Sequence, residues 1–470
     1  MQRWTLIAAV VVVIVVVAAV AVVLVGSDDD TDTSDDDDTS TTNSVTEIVT
    51  DDPTRETADA DGRLWIIGNA NMDDYLDEDD IEWIEKIIAG TANEVIFNAG
   101  LSDYSVDVRM ADANQDGVID QADIDMVQAM IELTTSSEQM VIYYIDVDGA
   151  INTVHVPVLT VVSFYIQNTK QLLTIDGMDN LVGTPSSTFK YVWLQDYEEN
   201  VSYVTYSNYE GDAEEIMALD PDAVLTGTRQ YYCNSLEEAL QSAGSDTDIV
   251  RIASWEDDKT IEGTLTLGFM MCKQDEAWEY VEWADYYLDL ISDKVATLSD
   301  DEIVKVLCPR GEYSDWNITM NGPRGGKYET TLTAGAYNVI IDNLTSSSTN
   351  VVVTDEWVFS LTDLDFIVCI VYGDLDNQEM NGYTNESFYE TAVEYWSSMT
   401  EAYGTEIHVL DNLVSQGTTY VIGAVYMAKW FYPDLFEDMD PDAIFQEFMD
   451  NFFRYDFDVA AYQATGGIAI

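Results

Sequence analysis

Two stretches of this chain share one local pattern: "EEIMALDPDAVLTG" and "FSLTDLDFIVCIVYG". In each, a helical run ends at an Asp-x-Asp turn, Asp220-Pro221-Asp222 or Asp363-Leu364-Asp365, 143 residues apart. A short apolar run follows at once and stops at a glycine, Gly227 or Gly373. A short continuous apolar run between turn signals reads as a strand buried on both faces. Such strands belong to parallel sheets covered by helices. The duplication therefore predicts two similar Rossmann-like α/β lobes. Open α/β sheets bind ligands beyond the carboxyl ends of their strands. The loops after Leu225 and after Val371 are thus expected to line two sides of a cleft.

The surrounding sequence fits that plan. "IDVDGAINTVHVP" reads as a hairpin with Asp148-Gly149 at its turn. "VPVLTVVSFYI" reads as a buried strand, and "NTKQLLTIDGM" as a helix capped by its Asn and ended by its Gly. A long helix, with an apolar stripe and no breaker, spans 275–299 and separates lobe 1 (141–274) from lobe 2 (300–470). Met270-Met271 reads as core.

Ahead of the lobes stands a gapless repeat with an offset of 43 residues. "NANMDDYLDEDDIEWIEKII" starts at Asn69 and "DANQDGVIDQADIDMVQAMI" at Asp112. Calcium loops place oxygen donors at positions 1, 3, 5, 7, 9 and 12 and a sharp turn at 6. Asp112, Asn114, Asp116, the Val118 carbonyl, Asp120 and Asp123 fill that pattern, and Gly117 makes the turn. The first copy offers Asn69, Asn71, Asp73, the Tyr75 carbonyl, Asp77 and Asp80, but has Asp74 where Gly is preferred. Apolar residues at helical spacing follow both copies. Residues 62–135 are expected to form a small α-helical module with calcium as its cofactor, and they resemble a dockerin. A dockerin-like module implies a cohesin-like partner.

The unbroken apolar run Trp4–Val25 has the length of a membrane span. Arg3 precedes it and Asp28 follows, which puts the bulk outside the cell by positive-inside logic. Residues 1–26 are therefore expected to be an uncleaved transmembrane anchor in the cell membrane. Residues 27–61, rich in Asp, Ser and Thr, are expected to form a disordered acidic linker. The formal net charge is −71. That charge excludes nucleic acid, whose phosphates need basic stripes. Only His155 and His408 occur, so no multi-His metal site can form. No Ser-His-Asp set and no phosphate loop can be assembled, so the chain is not expected to be an enzyme. Of the four cysteines, Cys308 and Cys369 lie in apolar strand-like runs and read as buried free thiols.

The order of hairpin, lobe, long helix and lobe over residues 141–455 resembles the ABC-transporter solute-binding proteins whose lobes are joined by one rigid helix. The resemblance implies an iron chelate, haem or corrinoid held between the lobes, and an ABC transporter permease as partner. It places the permease-docking carboxylate on Glu214, with Glu329 the nearest acid in the second lobe. Aromatics and the rare cations in loops after strands are the candidate ligand contacts. In lobe 1 these are Tyr165, Trp193, Tyr197, Tyr206, Tyr209, Arg229, Tyr231 and Tyr232. In lobe 2 they are Arg310, Tyr313, Trp316, Arg324, Lys327, Trp357 and Tyr372. Aromatic faces stack on flat ligands, and Arg or Lys grips carboxylates or an anionic chelate. The alternative reading is a cell-surface assembly or adhesion protein that docks through the calcium module, with the lobes as scaffold.

Overall fold

The computed structural model describes residues 45–48, 53–98, 107–205, 211–229, 233–255, 259–310, 317–322, 326–343, 350–371 and 385–464. Among them, two parallel sheets form the two lobes. The first holds β6 (Val161–Ser163), β7 (Leu181–Pro185), β8 (Ser202–Thr205), β9 (Ala223–Thr226) and β10 (Asp248–Arg251), in the order β10-β9-β6-β7-β8. The second holds β11 (Lys305–Leu307), β13 (Tyr337–Asn338), β15 (Phe366–Val371) and β16 (Glu406–Asp411), in the order β13-β11-β15-β16. Every residue of β6, β9 and β15 is buried, as strands covered on both faces must be. Each sheet reverses its winding next to its first strand, between β6 and β9 in one lobe and between β11 and β15 in the other.

The two Asp-x-Asp turns occupy equivalent places. Asp220 closes the helix Ala213–Leu219 in the left-handed conformation, and Pro221 cannot continue it. Asp222 then accepts hydrogen bonds from the Leu159 and Thr160 N–H groups, both at 2.8 Å, and from the Thr160 hydroxyl. It thereby ties the entry of β9 to the entry of β6. In the second lobe Asp365 accepts from the Lys305 N–H at 2.8 Å, at the entry of β11. The helix before that turn differs from expectation: Asp355–Val358 is a single turn.

The connecting helix runs Gln274–Val295, 22 residues, about 33 Å at the usual rise. Its Ala277, Tyr280, Val281, Trp283, Ala284 and Ile291 are buried. The helix in "NTKQLLTIDGM" begins earlier than expected, at Ile166, with Tyr165 and not Asn168 at its cap. The hairpin around Asp148-Gly149 forms as β4 (Met140–Ile145) and β5 (Ile151–Val156), and Gly149 takes the positive φ of its turn. A second antiparallel pair, β12 (Asn317–Asn321) with β14 (Asn350–Thr354), sits beside lobe 2. All four cysteines are free, and Cys308 and Cys369 are buried as expected.

The N-terminal module holds the helices Glu78–Ile88 and Gln121–Ile131, each opened by a capping box at Asp77 or Asp120. A small antiparallel sheet, β1 (Val45–Ile48) with β2 (Val95–Asn98) and β3 (Asp107–Arg109), completes it. The end of the expected linker is therefore part of the module. Val45–Ile48 pairs with β2, the Glu56 N–H bonds the Thr91 carbonyl, and Ala58 and Ala60 are buried. The module is packed onto lobe 1 and is not held apart from it. Trp65 to Ile67 run beside β4 through the Ile67–Tyr143 and Ile145–Trp65 backbone bonds. Arg63 pairs with Asp74 and, at 2.8 Å, with Asp285 of the connecting helix.

The placement as a single-pass membrane protein needs correction. Among the described residues no helix is long and apolar enough to cross a membrane. The connecting helix has the length, but Asp275, Glu276, Glu279, Glu282, Asp285, Asp289 and Asp293 punctuate it. The apolar run Trp4–Val25 lies outside the described residues.

Candidate functional site between the lobes

The switch point of a doubly wound sheet opens a crevice at the carboxyl ends of its strands. Three of the expected contact residues stand there. Tyr165 follows β6 and lies edge-on to Trp255, with centroids 5.5 Å apart, where the chain leaves β10. Arg229 follows β9. Arg310 follows β11, bridges in parallel to Ile370 of β15, and donates to the Asn350 side chain at 2.9 Å.

The charge of Arg229 is engaged by the β4–β5 hairpin. Its guanidinium contacts Asp146 at 2.5 Å and Asp148 at 3.0 Å, and its backbone N–H also bonds Asp148. Burial pushes the Asp146 carboxyl above its usual range, although Arg229 opposes the shift. Arg251, fully buried at the end of β10, is held by Gly227, Asn234 and Glu237. These two arginines build the wall of lobe 1.

The floor is a buried polar contact between lobes. All nine residues of Ile166–Thr174 are buried. From this helix Lys170 donates to the carbonyls of Leu413 (3.1 Å) and Gln416 (3.2 Å) and to the Thr419 hydroxyl (3.4 Å). Thr174 meets Thr418 at 2.9 Å, and Gln167 reaches the Gln416 side chain, which also accepts from Lys327. Tyr280 of the connecting helix donates to the Thr418 carbonyl. Gly417 takes φ +68, and a Cβ there would collide with the Gln167 side chain. Ionic and amide groups from both lobes thus close on the two short 3-10 turns Asn412–Val414 and Gly417–Thr419.

Other candidates fall elsewhere. Trp193 is a core residue, 1% exposed, packed against Phe453 and Tyr191, because its 3-10 segment folds under the lobe. Tyr197 is half-buried on the same segment, its hydroxyl pKa raised by burial. Trp357, on the one-turn helix, packs against the core of lobe 2. Glu214 is exposed near the start of its helix, and Glu329 is half-buried. Tyr206, Tyr209, Tyr231, Tyr232, Tyr313, Trp316, Arg324 and Tyr372 lie outside the described residues. Lys170, Gln416 and Trp255 were not legible in the sequence. "NTKQLL" shows a lysine in a helix, and only the second lobe makes that helix's outer face an inner one.

The two candidate calcium loops take similar shapes. In the second, Asp123 is fully buried and accepts from the Asn114 and Asp120 N–H groups, while Asp112 accepts from Asp116 and Gly117. In the first, Asp80 receives the Asn71 and Asp77 N–H groups in the same way. Burial, with the neighbouring Asp123 carboxylate, raises the Asp112 pKa. Among the described residues no three His, Cys, Asp or Glu side chains stand together as a ready-made metal cage.

The comparisons agree with this geometry. The model of the periplasmic binding protein family matches residues 161–381. No curated protein matches the sequence. Among solved structures, FepB from Veillonella parvula, described as a TroA-like periplasmic binding protein, is similar with a TM-score of 0.53 at 16% identity, covering 67% of this chain and 97% of that one. MolA from Haemophilus influenzae, a molybdate periplasmic binding protein, gives 0.52 at 17% identity over 67% of this chain and 98% of its own. CeuE from Helicobacter pylori with Ni(II) bound gives 0.51 at 12% identity, over 69% and 99%. The sequence match spans the first parallel sheet and the second as far as β15, and the lobes of this chain carry the fold of the periplasmic binding proteins.

Proposed function

We propose that this chain is the solute-binding component of an ABC importer, which captures an iron chelate, haem or corrinoid between its lobes and presents it to a permease. The observation that supports the reading is the pair of parallel sheets, each with a switch point, linked by one helix and joined by a buried polar contact between the lobes. Tyr165 and Arg310 stand at those switch points, and Tyr231, Tyr232, Tyr313 and Tyr372 follow the same strands in sequence. Aromatic residues together with a cation suit a flat, anionic ligand. Glu214 is the proposed docking carboxylate. The test is tryptophan quenching with a panel of ferric siderophores, haem and cobalamin, with molybdate and nickel–histidine as competitors. Binding of one panel member, weakened about 30-fold or more by Arg310→Ala, supports the reading. Silence across the panel removes it.

The second loop of the module is proposed to hold calcium through Asp112, Asn114, Asp116, Val118, Asp120 and Asp123. The donor set fits a hard cation with oxygen ligands, and the ion would relieve the repulsion between Asp112 and Asp123. Calorimetry on the whole chain should show uptake, with one site lost in Asp116→Ala. An unchanged titration in that variant would remove the second loop from consideration.

A further inference from the structure

Away from the inter-lobe floor, the connecting helix presents a second stripe. Glu279, Glu282, Trp283, Tyr286 and Tyr287 fall at spacings of three and four and share one face. With Glu447 of the helix Pro441–Phe448 they line an open groove of about 460 Å³. Tyr286 is 65% exposed, an unusual position for so large a ring. It stands edge-on to Tyr287, with centroids 5.0 Å apart, and Tyr287 is 5.2 Å from Trp283. The Tyr287 hydroxyl donates to Glu447 at 2.7 Å, which fixes both side chains at the rim. Trp283 is more than nine-tenths buried, and it closes the inner side of the groove.

These features ask for one kind of occupant. Ring faces attract alkylated ammonium groups, whose charge is spread and weakly hydrated. Three carboxylates around the rings favour positive charge and disfavour an anion. We propose that this groove is a binding site for a small alkylated ammonium solute, of which choline is the simplest probe. It is separate from the transport cleft, and nothing in the proposal depends on what that cleft carries.

The experiment is ligand-observed saturation-transfer NMR on the full chain at constant ionic strength, reading the choline methyl signal. Choline should bind the wild type. Tyr286→Ala should raise its dissociation constant at least about fivefold, and Tyr286→Phe should retain binding because the ring face makes the contact. Tetramethylammonium should bind as well, because the methylated charge makes the contact with the rings. The uncharged isostere 3,3-dimethylbutanol should give no signal. The exposure of Tyr286 keeps its substitution from disturbing the fold, and an unchanged melting temperature checks this. No choline signal in the wild type overturns the proposal, as does no tetramethylammonium signal, or equal binding by Tyr286→Ala or by the neutral isostere.

Discussion

Asp222 and Asp365 show how much a single carboxylate can organise. Asp222 accepts from two backbone N–H groups, one hydroxyl and, through its other oxygen, Gln139 at 2.9 Å. Asp365 accepts from the Lys305 N–H. Asp222→Ala should therefore cost about 1–3 kcal/mol, and Asp365→Ala less, read from urea midpoints. Arg229 gives a second test at this scale. The Asp146 side chain is fully buried beside it, so Arg229→Ala strands a buried charge and should destabilise the fold by about 3–5 kcal/mol. A variant that lost ligand but kept its midpoint would return Arg229 to the binding surface. Asp146 also predicts a pH effect. Its pKa is raised in the folded chain, so the native state binds the proton more tightly than the unfolded state. Its contribution is therefore full below the ordinary Asp value, 3.8, and fades as pH rises through the raised one. Asp146→Asn should flatten the fall of the urea midpoint across that interval. The Asp-x-Asp turns were legible because Pro and Asp act on their own backbone. Their partners, Thr160 and Lys305, were not, since no local pattern links residues so far apart in the chain.

At the scale of elements, the strands were the most legible part and the helix roles the least. Continuous apolar runs marked β9 and β15, and both are buried throughout. The connecting helix is shorter than expected by its last turn. The helix Ile166–Thr174 was readable as a helix, but its purpose was not. Its polar face turns inward only because lobe 2 covers it. That contact predicts that Lys170→Met, which leaves the Leu413 and Gln416 carbonyls without their ammonium donor, costs about 2–4 kcal/mol. Gly417→Ala should also destabilise, by strain at φ +68 and collision with Gln167. Both should broaden hydrogen-exchange signals on the two sides of the floor together, since one contact serves both lobes. Exchange confined to one lobe would contradict a shared latch. The same contact explains Trp193: its segment is covered by Phe453 across the lobe boundary.

For the whole molecule, the two-lobe plan and the loop–helix repeat were both visible in the sequence, but their relation was not. The sequence showed no contact between the repeat and the lobes. In the structure, Tyr75, position 7 of the first loop, donates to Asp275 at 2.6 Å and lies edge-on to Trp278, while Arg63 grips Asp285. The contacts that join module to helix link residues 200 and 222 positions apart, a separation that periodicity does not encode. Arg63→Ala should lower the melting temperature of the lobes as well as of the module, and two separate transitions in the wild type would contradict the joint packing.

The same packing sets a schedule for synthesis. Trp65 bonds Thr266, 201 residues later. At ribosomal rates of roughly 5–20 residues per second, the module's inner face waits on the order of 10–40 s for the surface that covers it. During that interval Trp65, Ile66 and Ile67, all buried in the finished molecule, have β4 and Phe97 beside them but lack the later cover of lobe 1. A chain arrested before residue 266 should therefore recruit hydrophobic-binding chaperones that the completed chain does not.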